Sequence, residues 1–271
     1  FGTITKTAGK TVKEMVLRAP GSLKIAQAGN PERYWFGVAR SYMNWNLAQT
    51  LEKALAYHES WNAWEAKVKT LGEEGAGKAP IRDLTWEDFR PLFRGDIPVT
   101  VHTQAYQVVQ KTIVMLKDRF KLNVVLDHST FDAYKTAQLV VDRGMPTIVG
   151  PRQFNFDRSE RRINGVASMY WESGVRELGI NTDAPVVPQE ELTLQAAIGC
   201  RLGLDPYVAL RGLTIVPARA LGVAKRIGSL EVGKDADMGL WTGDPLDPRR
   251  SCEKTFVSGL VVYDAKKKRR F

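Results

Sequence analysis

At 271 residues, with 44% hydrophobic and 25% charged side chains, the chain has the length and composition of one large soluble α/β domain with room for a small appended one. Such values exclude a disordered, fibrous or low-complexity protein, and no run approaches the roughly 20 apolar residues that a transmembrane segment needs. The formal charge of +9 and the run Lys266-Lys267-Lys268-Arg269-Arg270 favour polyanions, but no nucleic-acid-binding signature accompanies them, so residues 265–271 read as a solvated basic tail and no nucleic-acid partner is expected.

The start Phe1-Gly2-Thr3 is neither a methionine start nor a signal peptide, so a preceding segment is expected and the compartment, cytoplasmic or periplasmic, stays open. Ser22-Leu23-Lys24-Ile25-Ala26, set between Gly21 and Gly29-Asn30-Pro31, predicts a buried strand ending in a loop, with Lys24 the odd residue in it. From Ser41 to about Leu71 neither Pro nor Gly occurs, and Trp45, Leu47, Leu51, Leu55, Trp61 and Trp64 recur at roughly helical spacing, which predicts one long helix or a helical pair ending at Gly72. His58 falls on an exposed or helix-packing face of that segment. A flexible loop follows through Pro80, and Thr85-Trp86-Glu87-Asp88 offers a capping motif for a short helix that stops near Gly95.

A regular rhythm then sets in: strand 99–101, helix 104–120, strand 123–126, helix 130–142, strand 147–149, helix 159–178, strand 179–181, and helices near 189–203 and 206–214. Short β-branched runs alternating with helical segments imply βαβ units and a parallel sheet. Beyond Ile227, apolar segments such as 236–241, 255–257 and 260–263 are separated by Gly and Asp turns and suit antiparallel strands. Cys200 and Cys252 form no CxxC pair and are expected to be two buried free thiols.

Only three histidines are present. His102 and His128 both close a predicted parallel strand, 26 residues apart, about one βα unit. Asp183, in Asn181-Thr182-Asp183-Ala184-Pro185, stands after another strand 55 residues on. All three therefore belong to one rim, the carboxyl-end rim on which catalytic groups of β/α barrels converge. Taken singly, a strand-end histidine is more often a hydrogen-bonded surface residue and a loop aspartate more often a cap or turn former. At this joint spacing, two imidazoles and a carboxylate suit zinc or a similar divalent cation, with Asp183 also placed to accept a proton from water. Lys24 leaves two readings open: carboxylation to an anionic oxygen ligand, or an ammonium that is paired with an acid or reaches solvent.

The histidines at two strand ends, Asn181-Thr182-Asp183-Ala184-Pro185, Gly212-Leu213-Thr214-Ile215-Val216-Pro217-Ala218-Arg219-Ala220-Leu221-Gly222 and Arg226-Ile227-Gly228-Ser229-Leu230-Glu231-Val232-Gly233-Lys234-Asp235-Ala236-Asp237 together resemble the end of amidohydrolase superfamily enzymes, especially imidazolonepropionase-like members. Leu23-Lys24-Ile25-Ala26 with Gly29-Asn30-Pro31-Glu32-Arg33 is similar to an earlier segment of that group. The resemblance implies a distorted (β/α)8 TIM barrel, of which this chain carries roughly strands 4–8, and the C-terminal share of a small β-sandwich. Its bounds are 1–223 for the barrel part, with a helical insertion at about 41–95, and 224–264 for the sandwich part, where Leu240, Phe256 and Val262 call for a facing sheet.

It further implies hydrolysis of amide, peptide-like or cyclic amide bonds with one or two metal ions, zinc or similar. His102, His128, Asp183 and Lys24 are the implied ligands, after the fifth, sixth, eighth and fourth strands. Family members carry a His-x-His pair after the first strand, and this sequence has none. The expectation is a partner polypeptide or N-terminal segment that supplies it, in a homo- or hetero-oligomer; the alternative is a non-catalytic, pseudoenzyme-like binding scaffold. Arg152 could pair with a carboxylate on a small-molecule substrate and Tyr106 could stack on a ring, although both also read as ordinary loop residues.

Overall fold

The computed structural model describes residues 1–7, 9–27 and 39–267. The loop predicted at Gly29-Asn30-Pro31, with the neighbouring residues Glu32 and Arg33, and the end of the basic tail at 268–271 lie outside the described residues.

One curled, six-stranded sheet organises the chain. Its strands are β1 (Gly2–Thr5), β2 (Val16–Ala26), β3 (Val99–Gln104), β4 (Val124–Thr130), β5 (Thr147–Val149) and, after a hairpin of β6 (Phe154–Asp157) and β7 (Arg162–Gly165), β8 (Leu178–Ile180). The order is β1-β2-β3-β4-β5-β8, with β1 antiparallel to β2 and the other five parallel. Val99, Val101, Val124, Leu126, Val149 and Leu178 are fully buried, as expected of parallel strands covered on both faces. The result is a mixed α/β half-barrel.

Register carries the strand ends to one level. Ala26 lies opposite His102, His102 opposite Asp127, His128 opposite Val149, and Val149 opposite Ile180. Helices cover the outside, among them Tyr106–Thr112 running on into a π-helical stretch at Ile113–Arg119, and Val166–Glu172, Leu192–Arg201 and Pro206–Leu213.

The long helix spans Arg40–Ala76 and breaks at Gly72, whose φ of 74° and ψ of 171° are not helical. Only glycine takes such a conformation cheaply, so the break falls where it was expected. His58 is on the packing face, 6% exposed, with its ring 5.5 Å from that of Phe93. The next helix starts one turn element earlier than the capping motif suggests: Asp83, not Thr85, is the cap, its carboxylate accepting the Thr85 N–H at 2.8 Å, and two short helices follow at Leu84–Glu87 and Arg90–Phe93.

The helix expected over 159–178 is corrected by the hairpin β6–β7. Phe154, Phe156 and Ile163 alternate with Asn155, Asp157 and Asn164 at period two, and Asp157 Oδ1 accepts the N–H groups of Ser159 and Glu160, which fixes a turn where a helix was expected to begin. The helix there waits until Val166. The two thiols, expected to be buried, are free but half-buried.

At the C-terminal end β9 (Met238–Trp241), β10 (Cys252–Val257) and β11 (Leu260–Asp264) form an antiparallel sheet in the order β11-β10-β9. Among the described residues it is a single layer, with Leu240 and Val262 exposed. The segment after β1 is clasped to it: Lys6 Nζ lies 2.8 Å from both Asp235 Oδ2 and Asp237 Oδ1.

Candidate metal centre

In an unbroken strand Asp127 and His128 would point to opposite faces. At its carboxyl end β4 leaves the extended conformation: His128 has φ 70° and Ser129 φ 43°. This turn carries the His128 imidazole round to the side of Asp127, with Nε2 3.7 Å from Asp127 Oδ2. His128 Nδ1 lies 2.9 Å from the Gly150 carbonyl oxygen at the end of β5. A carbonyl only accepts, so Nδ1 carries the proton and Nε2 presents its lone pair.

That lone pair has no hydrogen-bond partner although Nε2 is fully buried. It faces Asp183 Oδ1 at 3.7 Å. Asp183 sits in the loop after β8 and also has a positive φ, 51°. Left-handed backbone at two non-glycine residues of one cluster is strain of the kind that collects at working sites.

His102, near the end of β3, is 5% exposed, and its ring centroid is 4.1 Å from that of His128. Burial first, then the His128 ring and the Lys24 ammonium, push its pKa down to about 4 against the pull of Asp183 and Asp127, so the ring is neutral at pH 7. One ligand atom from each of His102, His128 and Asp183 lies within 4.8 Å of the others. A divalent cation fits this set. The imidazoles offer neutral nitrogen, the carboxylate offers charge, and the orphaned Nε2 would gain the partner that a buried polar atom otherwise lacks.

The structure also brings Lys24 to this rim, but its side chain is 47% exposed instead of closing a buried strand, and its ammonium is ion-paired with Asp127. Sequence reasoning missed Asp127. Its Oδ1 accepts from Asn181 Nδ2 at 2.7 Å and from the His128 N–H at 3.1 Å, so it joins β2, β4 and the end of β8. The only signal for it was a carboxylate adjoining a strand-end histidine.

Arg152 and Tyr106 stand on the same rim, outside the three-residue cluster. Arg152 is exposed after β5 with its guanidinium 5.1 Å from the Phe131 ring centroid, and the half-buried Tyr106 opens the helix after β3, its N–H bound to Asp132 Oδ1 at 3.0 Å.

The carboxyl ends of parallel strands, where this chain gathers its histidine and carboxylate side chains, are the rim on which α/β barrels carry their functional groups. The model of the amidohydrolase family matches residues 96–262, more than half of the chain, and the chain belongs to that family. A crystal structure of an amidohydrolase from Thermotoga maritima MSB8 superposes with a TM-score of 0.78 at 27% identity, over 97% of this chain and 67% of that one. Among curated proteins, amidohydrolase tasK of Hapsidospora irregularis is 23% identical over 232 residues, 84% of this chain and 23% of its own length. The imidazolonepropionase of Sphingopyxis alaskensis is 31% identical over 123 residues, 45% of this chain and 30% of its own. The chain therefore spans less than a third of the length of these curated relatives. No helix among the described residues is long and apolar enough to cross a membrane.

Proposed function

We propose that this chain supplies the His102, His128 and Asp183 ligands of a divalent-metal centre, zinc or similar with one or two ions, that hydrolyses C–N bonds of amide, peptide-like or cyclic amide substrates. The observation that carries the reading is the buried, unpartnered Nε2 of His128, 3.7 Å from Asp183 Oδ1, with His102 within ligand reach. A bound cation would supply Lewis acidity and lower the pKa of a water molecule to about 7. His128, its Nδ1 proton committed to Gly150, and His102, neutral at pH 7, hold nitrogen lone pairs in place. Asp183, about a third exposed, has an oxygen free to take the water proton and hand it to the leaving nitrogen. Lys24 enters as a ligand only if it leaves Asp127 and is carboxylated; as an ammonium it counts against a second ion.

The reading includes a His-x-His pair from a segment or second subunit outside this sequence, since two imidazoles and one carboxylate leave the family's donor set short. On the substrate side, Arg152, stacked on Phe131 in the open rim, would swing to a carboxylate, and Tyr106 would face a ring.

Metal analysis of the purified assembly, with hydrolysis of a panel of dipeptides, N-acyl amino acids and cyclic amides, tests this against the alternative of a non-catalytic scaffold. The expected result is bound divalent metal and hydrolysis in the wild type, both lost in His128→Ala. Unchanged metal content and unchanged hydrolysis in that variant would overturn it.

A further inference from the structure

Three parts of the rim meet at one residue that is not itself a candidate ligand. The Asn181 side chain donates from Nδ2 to Asp127 Oδ1 at 2.7 Å. Its backbone carbonyl is packed against the α-carbon of Gly150, so closely that a Cβ there would lie 2.1 Å from the oxygen. Two residues further along the same loop comes Asp183. Gly150 in turn accepts the His128 Nδ1 proton, and its own N–H, 3.3 Å from the His128 carbonyl oxygen, closes the link.

We infer that Asn181 is the positioning residue of the metal centre, acting through Asp127 and Gly150 to hold the His128 imidazole with Nε2 turned toward Asp183. The inference rests on the metal-centre reading above. Its chemistry is specific to an amide at 181. Asp127 has Oδ2 taken by Lys24 and Oδ1 bound by the His128 N–H at 3.1 Å; the 2.7 Å bond from Asn181 is the shorter of the two at Oδ1 and the one that reaches β8, and neither a carboxylate nor an aliphatic side chain can donate it. Asn181 Oδ1 is buried with no hydrogen-bond partner, against the Gly150 α-carbon, where a Cβ would lie 2.6 Å from it. The side chain is thus oriented by its single donated bond and by contact with glycine, and it transmits the position of the β8 end to both neighbours of His128. Partners that orient metal-ligating histidines are typically worth about 10–100-fold in metal affinity.

The test is Co2+ titration of the purified assembly after its metal is removed, read by the visible absorption of the bound ion, which reports coordination geometry independently of turnover. Asn181→Ala is expected to bind Co2+ about 10–100-fold more weakly, with a changed absorption band, while far-UV circular dichroism stays that of the wild type. Asn181→Asp, close in volume but with no donor, should behave alike and carries the comparison if the alanine variant fails to fold. A wild-type band and affinity in folded Asn181→Ala or Asn181→Asp would overturn the positioning role while leaving the metal centre standing. A wild-type assembly that takes up no Co2+ would bring down the metal-centre reading itself, and this inference with it.

Discussion

Gly150→Ala concentrates the reasoning in a single methyl group. Gly150 has φ 149°, and a Cβ added to it would meet the Asn181 carbonyl oxygen at 2.1 Å and the carbonyl carbon at 2.9 Å, both backbone atoms that no rotamer change relieves. Restoring a contact of ordinary length means that the end of β5 and the loop after β8 shift apart by about 1 Å, and because β5 lies between β4 and β8 this crowds Gly150 against His128 and takes its carbonyl out of line with the Nδ1 proton of the 2.9 Å hydrogen bond. Leaving that buried donor unmatched costs about 1–3 kcal/mol, and a side chain at an unfavourable φ adds about 1 kcal/mol or more. A destabilisation of roughly 3 kcal/mol shifts the unfolding midpoint of a chain of this size by about 6–12 °C. Calorimetry on the metal-free protein measures the shift directly. In parallel, long-range nitrogen–proton NMR, simple in a chain with three histidines, should show His128 moving from one pure tautomer to a mixture. A midpoint within about 1 °C of the wild type, roughly 0.3 kcal/mol, with the tautomer unchanged, would refute the argument.

Two further outcomes follow from the charges around the cluster. Burial holds the pKa of His102 at about 4 and that of His58, which Arg90 and Arg94 also oppose, below its ordinary value of 6.5, so the folded metal-free chain refuses protons that the unfolded chain accepts. Stability is complete above about pH 6.5 and falls as the pH drops toward 4; at about 1.4 kcal/mol per tenfold change in proton affinity, His102 alone accounts for roughly 3 kcal/mol. Urea titrations across that range check it, and a flat profile would contradict it. Lys24→Met removes one partner of a half-exposed pair, so the unfolding free energy should change by under about 1 kcal/mol. The same change should raise the His102 pKa, because the Lys24 ammonium is one of the charges that lower it. NMR titration of the imidazole follows that shift, and a fall would count against the geometry.

How far the site could be read in advance varied from residue to residue for physical reasons. His102, His128 and Asp183 were legible because parallel strands separated by helices repeat at a nearly constant chain length, and the same rim recurs at each repeat. The long helix and its end at Gly72 were legible from the absence of Pro and Gly and from one residue able to take φ 74°. Asp127 was hidden by the rule that normally helps: alternation places it on the face opposite His128, and only the left-handed turn at His128 and Ser129 brings the two together. The hairpin at Phe154–Gly165 was masked by its charged tip, which looks equally suited to a helix. Gly150 left no trace in the pattern, since its role lies in the atoms it lacks.

The clasp from Lys6 to Asp235 spans 229 positions of the chain. Contacts of such sequence separation close late, after the chain has given up most of its loop entropy. Arg226 binds the same oxygen of Asp235, Oδ2, at 2.9 Å, so this carboxylate has a cation nine residues away in the chain as well as the distant one. The Lys6 contact thus ties the start of the chain to the segment that leads into β9, and its closure reports that these distant parts have come together.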